Sequence, residues 1–206
     1  MEKKKVLLLG DSIRQSYCAR VKELLADECE VYYVPDNGAY TLNTLWAVML
    51  SWLPALGIKG EELDLIHWNN GHWDHHRNLA DLEPLSTIEQ YLYYNRRLHK
   101  QFAAFTDKLI WATTIPVSEK KPHIPDGLGS STLSKEELNN EIKLYNDVLG
   151  AYLKHHGVWI NDLYELVAAD PEGMLLEDGI HLTPEGAELA AQQVAGIIRK
   201  RLQAEK

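Results

Sequence analysis

Val6-Leu7-Leu8-Leu9-Gly10-Asp11-Ser12 is an apolar run that ends abruptly in three turn-forming residues. A short, continuous apolar run of this kind is typical of a strand that is buried on both faces of a parallel sheet. In open α/β sheets, ligands bind at the carboxyl ends of such strands. The stretch therefore predicts a first strand that brings the hydroxyl of Ser12 to a ligand-binding edge.

Further strand-length runs follow, and helix-length segments separate them. The predicted strands are Val6–Leu9, Glu30–Val34, Leu63–Trp68, Leu109–Thr114 and Val158–Ile160, and the predicted helices are Ile13–Leu25, Asn43–Leu53, Ser86–Phe105, Lys135–His155 and Pro184–Leu202. Strands that alternate with helices predict a parallel sheet with helices on both faces. We therefore expect a flavodoxin-like, three-layer α/β/α sandwich with a five-stranded parallel sheet.

Composition narrows the class of protein. The chain has 206 residues, of which 45% are hydrophobic, and this is consistent with one domain over residues 1–206. A formal net charge of −9 argues against a nucleic-acid partner, because phosphates require a basic surface. No apolar segment is long enough to predict a membrane span or a signal peptide. Cys18 and Cys29 form no metal motif, and together these features predict a cytoplasmic protein.

Asp178-Gly179-Ile180-His181, far along the chain, supplies the other groups of a hydrolytic triad. A serine hydroxyl becomes a nucleophile when a base such as His181 takes its proton, and a carboxylate such as Asp178 orients that base. Each residue also has an ordinary structural interpretation. Ser12 is a suitable N-cap for the first helix, and Asp178 a turn former before Gly179.

Taken together, these motifs resemble those of the GDSL/SGNH hydrolase family of esterases and lipases. Asn37-Gly38 resembles the family's second block, and Trp68-Asn69-Asn70-Gly71-His72-Trp73-Asp74 resembles its third. The resemblance implies a serine esterase that needs no metal or organic cofactor and acts on a small-molecule ester of short acyl chain, with O-acetylated carbohydrate as the first candidate. It also implies an oxyanion hole built from the backbone N–H groups of Ser12 and Gly38 and an asparagine side chain.

The third block departs from the family pattern, Gly-x-Asn-Asp, because Trp73 stands where the asparagine is expected. We predict that Asn69 replaces it, since Asn69 should be the first residue beyond the third strand and should face Ser12. Asn70 is the alternative donor, because a loop need not keep the alternation of a strand. It is also open that both asparagines only brace the turn before Gly71.

Other residues near these motifs are weaker candidates. Asp11, Trp68 and Trp73 are candidates for the substrate pocket, the two tryptophans as a wall that stacks on a sugar or acyl group. Trp46, Trp52, Trp111 and Trp159 are expected in the core. The irregular loop at residues 116–134 follows the fourth strand and is a candidate for shaping the pocket.

Two other functions remain open. The departure at Trp73 allows a binding module that keeps the fold but has lost activity. The His72–His76 segment allows a metal-assisted hydrolase with Asp74, His75 and His76 as ligands, although adjacent loop residues rarely converge on one ion.

Overall fold

Five parallel strands form the central sheet. They are β1 (Lys4–Gly10), β2 (Cys29–Tyr32), β3 (Leu65–Asn69), β4 (Leu109–Ala112) and β5 (Trp159–Asn161), in the order β2-β1-β3-β4-β5. The structure is a computed structural model that describes residues 2–78, 80–118, 128–129 and 133–204. The strand order is that of a flavodoxin-like sheet, and its topological switch point lies between β1 and β3. The predicted fold class is thereby confirmed.

β1 is buried on both faces, as its apolar run predicts. Val6 and Leu8 pack into the apolar cluster that includes the helices Ser12–Leu24 and Pro184–Gln203, whereas Leu7 and Leu9 pack into the cluster on the opposite face. All four side chains are at most 1% exposed. At the carboxyl end of the strand, Gly10 pairs with Asn69 of β3, so that the residues following these two strands meet at one edge.

The helices lie on the two faces of the sheet. They are α1 (Ser12–Leu24), α2 (Thr41–Ala47), α3 (Leu53–Leu56), α4 (Ile88–Ala103), α5 (Lys135–His155), α6 (Leu163–Ala168), α7 (Pro171–Met174) and α8 (Pro184–Gln203). A π-helix (Val48–Trp52) joins α2 to α3, and 3₁₀ turns cover Gly60–Glu62 and His72–His75. The two-residue strands Arg77–Asn78 and Leu128–Gly129 pair antiparallel.

Most predicted elements differ from those observed by one or two residues at an end, and two of the differences have an identifiable physical cause. The helix expected at Asn43–Leu53 begins at Thr41 and is interrupted by the π-helix before Pro54, whose ring nitrogen has no hydrogen to donate to the preceding turn. β2 ends at Tyr32 rather than Val34, because the Val34 carbonyl accepts a hydrogen bond from the Arg14 side chain (2.7 Å) instead of pairing within the sheet. Within the described part of the chain, no helix is long and apolar enough to cross a membrane.

His67, in the middle of β3, makes the stability of this fold depend on pH. Its ring is fully buried and its Nε2 lies 3.2 Å from the side-chain nitrogen of Asn161. Burial lowers the pKa of His67 to about 3, whereas an unfolded histidine has a pKa near 6.5. Because the folded-state pKa is the lower one, this group stabilises the fold above about pH 6.5, and that contribution is lost as the pH falls towards 3.

We therefore expect His67→Gln to flatten the pH dependence of stability by up to about 1.4 kcal/mol per pH unit between pH 6 and 4. Urea unfolding of both proteins across this range measures the difference. His155→Gln, which changes an exposed ring, is the matched control. Equal slopes for the wild type and His67→Gln would contradict the assignment.

Candidate active site

Ser12 stands at the junction between β1 and α1. Asp11 is the N-cap, since its Oδ1 accepts the Ile13 N–H at 2.9 Å, and Ser12 is the first helical residue rather than the cap itself. The Ser12 N–H therefore has no acceptor within the helix and lies at the positive end of the helix dipole. Gly10, with φ of +146° and Asn69 packed against its α-carbon, provides the turn that a side chain would prevent.

The structure brings Ser12, His181 and Asp178 into one chain of hydrogen bonds. His181 Nε2 lies 2.9 Å from Ser12 Oγ, and His181 Nδ1 lies 2.7 Å from Asp178 Oδ2. The other carboxylate oxygen of Asp178 accepts the N–H groups of Ile180 and His181, both at 2.9 Å. Asp178 thus shapes its own turn and orients the imidazole with the same carboxylate.

The environment of Asp178 favours the ionised form. Burial alone would raise the pKa of Asp178, but hydrogen bonds from the His181 ring and from two backbone N–H groups outweigh it and hold the pKa below its usual value. The loop is fixed on its far side because Thr183 caps α8, accepting the Gly186 N–H at 3.0 Å. An ionised carboxylate behind the imidazole is the arrangement that stabilises an imidazolium.

The Gly38 N–H, an expected oxyanion donor, is already engaged: it donates to the Gly10 carbonyl at 2.9 Å. A β-carbon at Gly38 would lie 2.5 Å from that same carbonyl oxygen, so the close approach requires glycine. In this structure the Gly38 contact ties the loop after β2 to the end of β1.

The two candidate asparagines differ in how their amides are used. Asn69, the last residue of β3 rather than the first of the loop, donates to Asp11 Oδ1 at 3.1 Å and accepts the Tyr17 hydroxyl at 3.0 Å. The Asn70 amide donates both to the Ala39 carbonyl (3.1 Å) and to Thr44 Oγ1 (2.9 Å). An amide nitrogen carries two hydrogens, so among the described residues Asn69 keeps one without an acceptor and Asn70 keeps none.

Asp74, the last residue of the third block, holds three segments together. Its fully buried carboxylate accepts the Thr41 N–H (3.0 Å), the Thr41 hydroxyl (2.9 Å) and the Ser86 hydroxyl (2.5 Å). Burial raises the pKa of Asp74 to about 7, against the opposing effect of these hydrogen bonds. The carboxylate thus joins the start of α2 and the segment before α4 to the loop after β3. The identity of its partners was not apparent from sequence spacing.

Two of the three pocket candidates are buried. Asp11 is 1% exposed, and its carboxylate accepts hydrogen bonds from the Ile13 N–H and the Asn69 amide. Burial raises the pKa of Asp11 to about 6. Trp68 is fully buried because β3 is covered on both faces, and its ring packs edge-on against Phe102. Trp73 is partly exposed and stacks on His76 with ring centroids 4.9 Å apart, so it alone of the three keeps a surface that a ligand could reach.

Of the four tryptophans expected in the core, three are buried or partly buried and one is exposed. Trp52 and Trp111 are buried, and Trp159 is partly buried against the core. Trp46 is 59% exposed, so its assignment to the core was wrong: α2 presents it to solvent.

The histidine-rich segment does not converge on one point. His75 Nδ1 pairs with Glu141 at 2.8 Å, while the Asp74 carboxylate is turned to Thr41 and Ser86. Glu141 also pairs with Arg77, and despite its burial these partners lower its pKa to about 2. Across the described ranges, no group of three His, Cys, Asp or Glu side chains is placed to hold a metal ion.

The loop at residues 116–134 lies largely outside the described residues, but its first part is anchored. Val117 exchanges two hydrogen bonds with the Asn139 side chain, and the Ser118 N–H donates to the Gly179 carbonyl at 3.0 Å. The start of this loop therefore contacts the Asp178–His181 turn.

Comparisons with known proteins agree with this fold. No family model matches the chain, and no curated protein matches it. Among solved structures, a lipase/acylhydrolase from Enterococcus faecalis is 21% identical, with a TM-score of 0.71 over 98% of this chain and 99% of that one. An acetyl xylan esterase, AlAXEase, is 15% identical, with a TM-score of 0.70 over 94% and 99%. A carbohydrate esterase family 3 protein from Talaromyces cellulolyticus is 16% identical, with a TM-score of 0.68 over 98% and 100%.

These similarities extend over nearly the whole chain. Solved structures described as a GDSL-like lipase, a putative SGNH hydrolase and a G-D-S-L lipolytic protein match it as well. The resemblance inferred from four short motifs is thereby confirmed at the level of fold: the chain has the fold of GDSL/SGNH hydrolases.

Proposed function

We propose that this chain is a single-domain serine esterase that transfers an acyl group from a small ester to water. The observation that carries the proposal is the chain of hydrogen bonds from Ser12 Oγ through His181 to Asp178, at 2.9 and 2.7 Å. The serine sits at a helix N-terminus on the carboxyl edge of the sheet, where the fold favours ligand binding and a developing negative charge.

In the proposed reaction, Ser12 Oγ attacks the ester carbonyl while His181 Nε2 takes its proton. Asp178 holds the other ring nitrogen and stabilises the imidazolium. Collapse of the tetrahedral intermediate expels the alcohol, which receives the proton from His181, and leaves an acyl-serine. Water, deprotonated by His181, then attacks this ester, and the acid departs as the Ser12 hydroxyl is restored.

We assign two oxyanion donors, each an N–H hydrogen near Ser12 that has no acceptor among the described residues. The Ser12 N–H has no acceptor within its helix, and the Asn69 amide keeps one hydrogen after donating to Asp11. Asn69 is buried and is braced by Tyr17, so the donor would be held in place before the substrate arrives. Prearranged donors of this kind are each typically worth about 3 kcal/mol of activation free energy.

The substrate we propose is a short acyl ester, with O-acetylated carbohydrate as the first candidate. The support comes from structural neighbours described as an acetyl xylan esterase, a carbohydrate esterase and an acetyl esterase. The partly exposed Trp73, stacked on His76, offers an aromatic face of the kind on which sugar rings stack.

Labelling with a fluorophosphonate tests the proposal directly, because the reagent phosphonylates an activated serine. We expect one adduct, located on Ser12 by peptide mass spectrometry, and loss of 4-nitrophenyl acetate hydrolysis in proportion to labelling. Ser16, one turn further along α1, is the internal control and should remain unmodified. An adduct elsewhere, or ester hydrolysis without any adduct, would contradict the assignment.

The second candidate is a module that keeps the fold and binds acylated ligands without turnover. It is favoured by the Gly38 N–H, which is donated to Gly10 rather than left for an oxyanion. An unlabelled Ser12 together with saturable binding of an acetylated oligosaccharide would support this candidate. The metal-assisted hydrolase predicts loss of activity with a chelator, whereas the serine mechanism predicts none.

A further inference from the structure

The proposed oxyanion hole has two hydrogen-bond donors, the Ser12 N–H and the Asn69 amide, whereas the sequence motifs suggested three. Gly38 gives its N–H to the Gly10 carbonyl, and Trp73 occupies the position where an asparagine was expected. A tetrahedral intermediate held by only two donors would be stabilised less, so a third donor near the end of β3 would matter for turnover.

His72 is a candidate for such a donor. It follows β3 by three residues, within the segment that leaves the sheet beside the end of β1. Its side chain is 94% buried (6% exposed), and its Nε2 has no hydrogen-bond partner among the described residues. The charges of His181 and Asp178 both act on this ring, which agrees with its position at the same edge of the sheet.

A buried ring nitrogen without a partner is costly. An unsatisfied polar group of this type destabilises a folded protein, which is why nearly all such groups find a partner. The neighbouring His75 uses its Nδ1 in a pair with Glu141, but its buried Nε2 is unpartnered among the described residues, as are the Nδ1 atoms of His67 and His76. Of these buried histidines, His72 is the one whose ring is acted on by the charges of both His181 and Asp178, so a bound substrate could supply the partner of its Nε2.

Resting on the serine esterase function proposed above, we propose that His72 donates an Nε2–H hydrogen bond to the oxyanion, as a third donor beside the Ser12 N–H and the Asn69 amide. The ring acts as a neutral donor and transfers no proton, so the proton shuttled between Ser12, the leaving alcohol and water stays with His181. Burial lowers the pKa of His72 to about 3, and the ring is accordingly uncharged at neutral pH.

The test compares three replacements of His72 with a control. His72→Phe keeps a planar ring without a donor, His72→Gln carries an amide nitrogen at the reach of Nε2, and His72→Asn carries one only at the reach of Nδ1. His99→Phe makes the same change at a largely buried ring on α4 that bonds to Tyr152. Steady-state hydrolysis of 4-nitrophenyl acetate and inhibition by a boronic acid, which forms a tetrahedral adduct with serine, are measured for each.

For His72→Phe we expect kcat to fall about 100- to 1,000-fold with KM within a few-fold of wild type, and boronate affinity to fall in parallel. His72→Gln should recover most of the loss, His72→Asn much less, and His99→Phe should match the wild type. A His72→Phe protein with near-normal kcat, or Gln and Asn variants that are equally active, would overturn the proposal. If His72→Phe does not fold, the Gln and Asn variants decide alone.

The same experiment separates the two proposals. A wild type that is phosphonylated at Ser12 and turns over, with His72 variants that behave like the control, overturns only the role of His72. A wild type that is neither labelled nor active overturns the esterase function and, with it, this donor.

Discussion

Ser12→Ala should lower kcat for 4-nitrophenyl acetate by about 10⁴- to 10⁶-fold while leaving the fold intact. The hydroxyl is the only group lost, and the side chain of its partner, His181, is partly exposed, so the substitution leaves no fully buried side chain unpaired. Ser16→Ala removes a hydroxyl one turn further along the same helix, where it bonds to the Ser12 carbonyl, and should retain activity.

His181→Ala should lower kcat by a similar factor. The double variant, in which both Ser12 and His181 are replaced by Ala, should have a kcat only slightly lower than that of either single variant. Residues that act in one step lose their combined effect when any one of them is removed. The hydrogen bonds of 2.9 and 2.7 Å that join Ser12, His181 and Asp178 are the reason to expect this behaviour. Losses in kcat that multiply in the double variant would show that the residues do not share a step.

Asn69→Ala is expected to reduce kcat about 100- to 1,000-fold with little change in KM, because the amide acts mainly when the carbonyl oxygen carries charge. Steady-state kinetics on a series of short acyl esters would measure both constants. Asn70→Ala should affect stability more than turnover, since its amide hydrogens are bound to Ala39 and Thr44.

A control is needed because Asn69 also supports its neighbours. Tyr17→Phe removes the hydroxyl that braces Asn69 and leaves the amide in place. A Tyr17→Phe protein with near-normal kcat would show that the loss in Asn69→Ala comes from the amide itself, whereas equal impairment of both variants would attribute it to the structural contact between Tyr17 and Asn69. Full activity of both asparagine variants would exclude this loop from the oxyanion hole.

The parts of the fold that depend on periodicity were predictable. The alternation of short apolar runs with amphipathic segments gave five parallel strands and the main helices, and α5 has the predicted bounds, Lys135–His155. The short helices α6 and α7 were missed because segments of a few residues carry too little periodicity. The exposure of Trp46 depends on how α2 is oriented against its neighbours, which residue type does not encode.

The candidate site likewise has one part that could be predicted from the sequence and one part that could not. Ser12, Asp178 and His181 could be placed together because strand topology brings the carboxyl ends of parallel strands to one edge. The hydrogen-bond partners of Gly38, Asn69 and Asp74 could not be predicted, because these bonds join segments that are distant in sequence. An amide or N–H group identified from a motif is available for catalysis only if no such partner has taken it.

Ser12 and His181 are 169 positions apart in the sequence, and this separation has a consequence for biosynthesis. The serine and the Asp11 cap leave the ribosome early, whereas the histidine follows only when the last strand, β5, has been made. α8 then docks on α1, where Arg20 pairs with Glu188 at 2.7 Å. If the proposed serine esterase function is correct, a nascent chain or a product truncated before residue 178 would therefore carry an inert serine, because its base, His181, is missing.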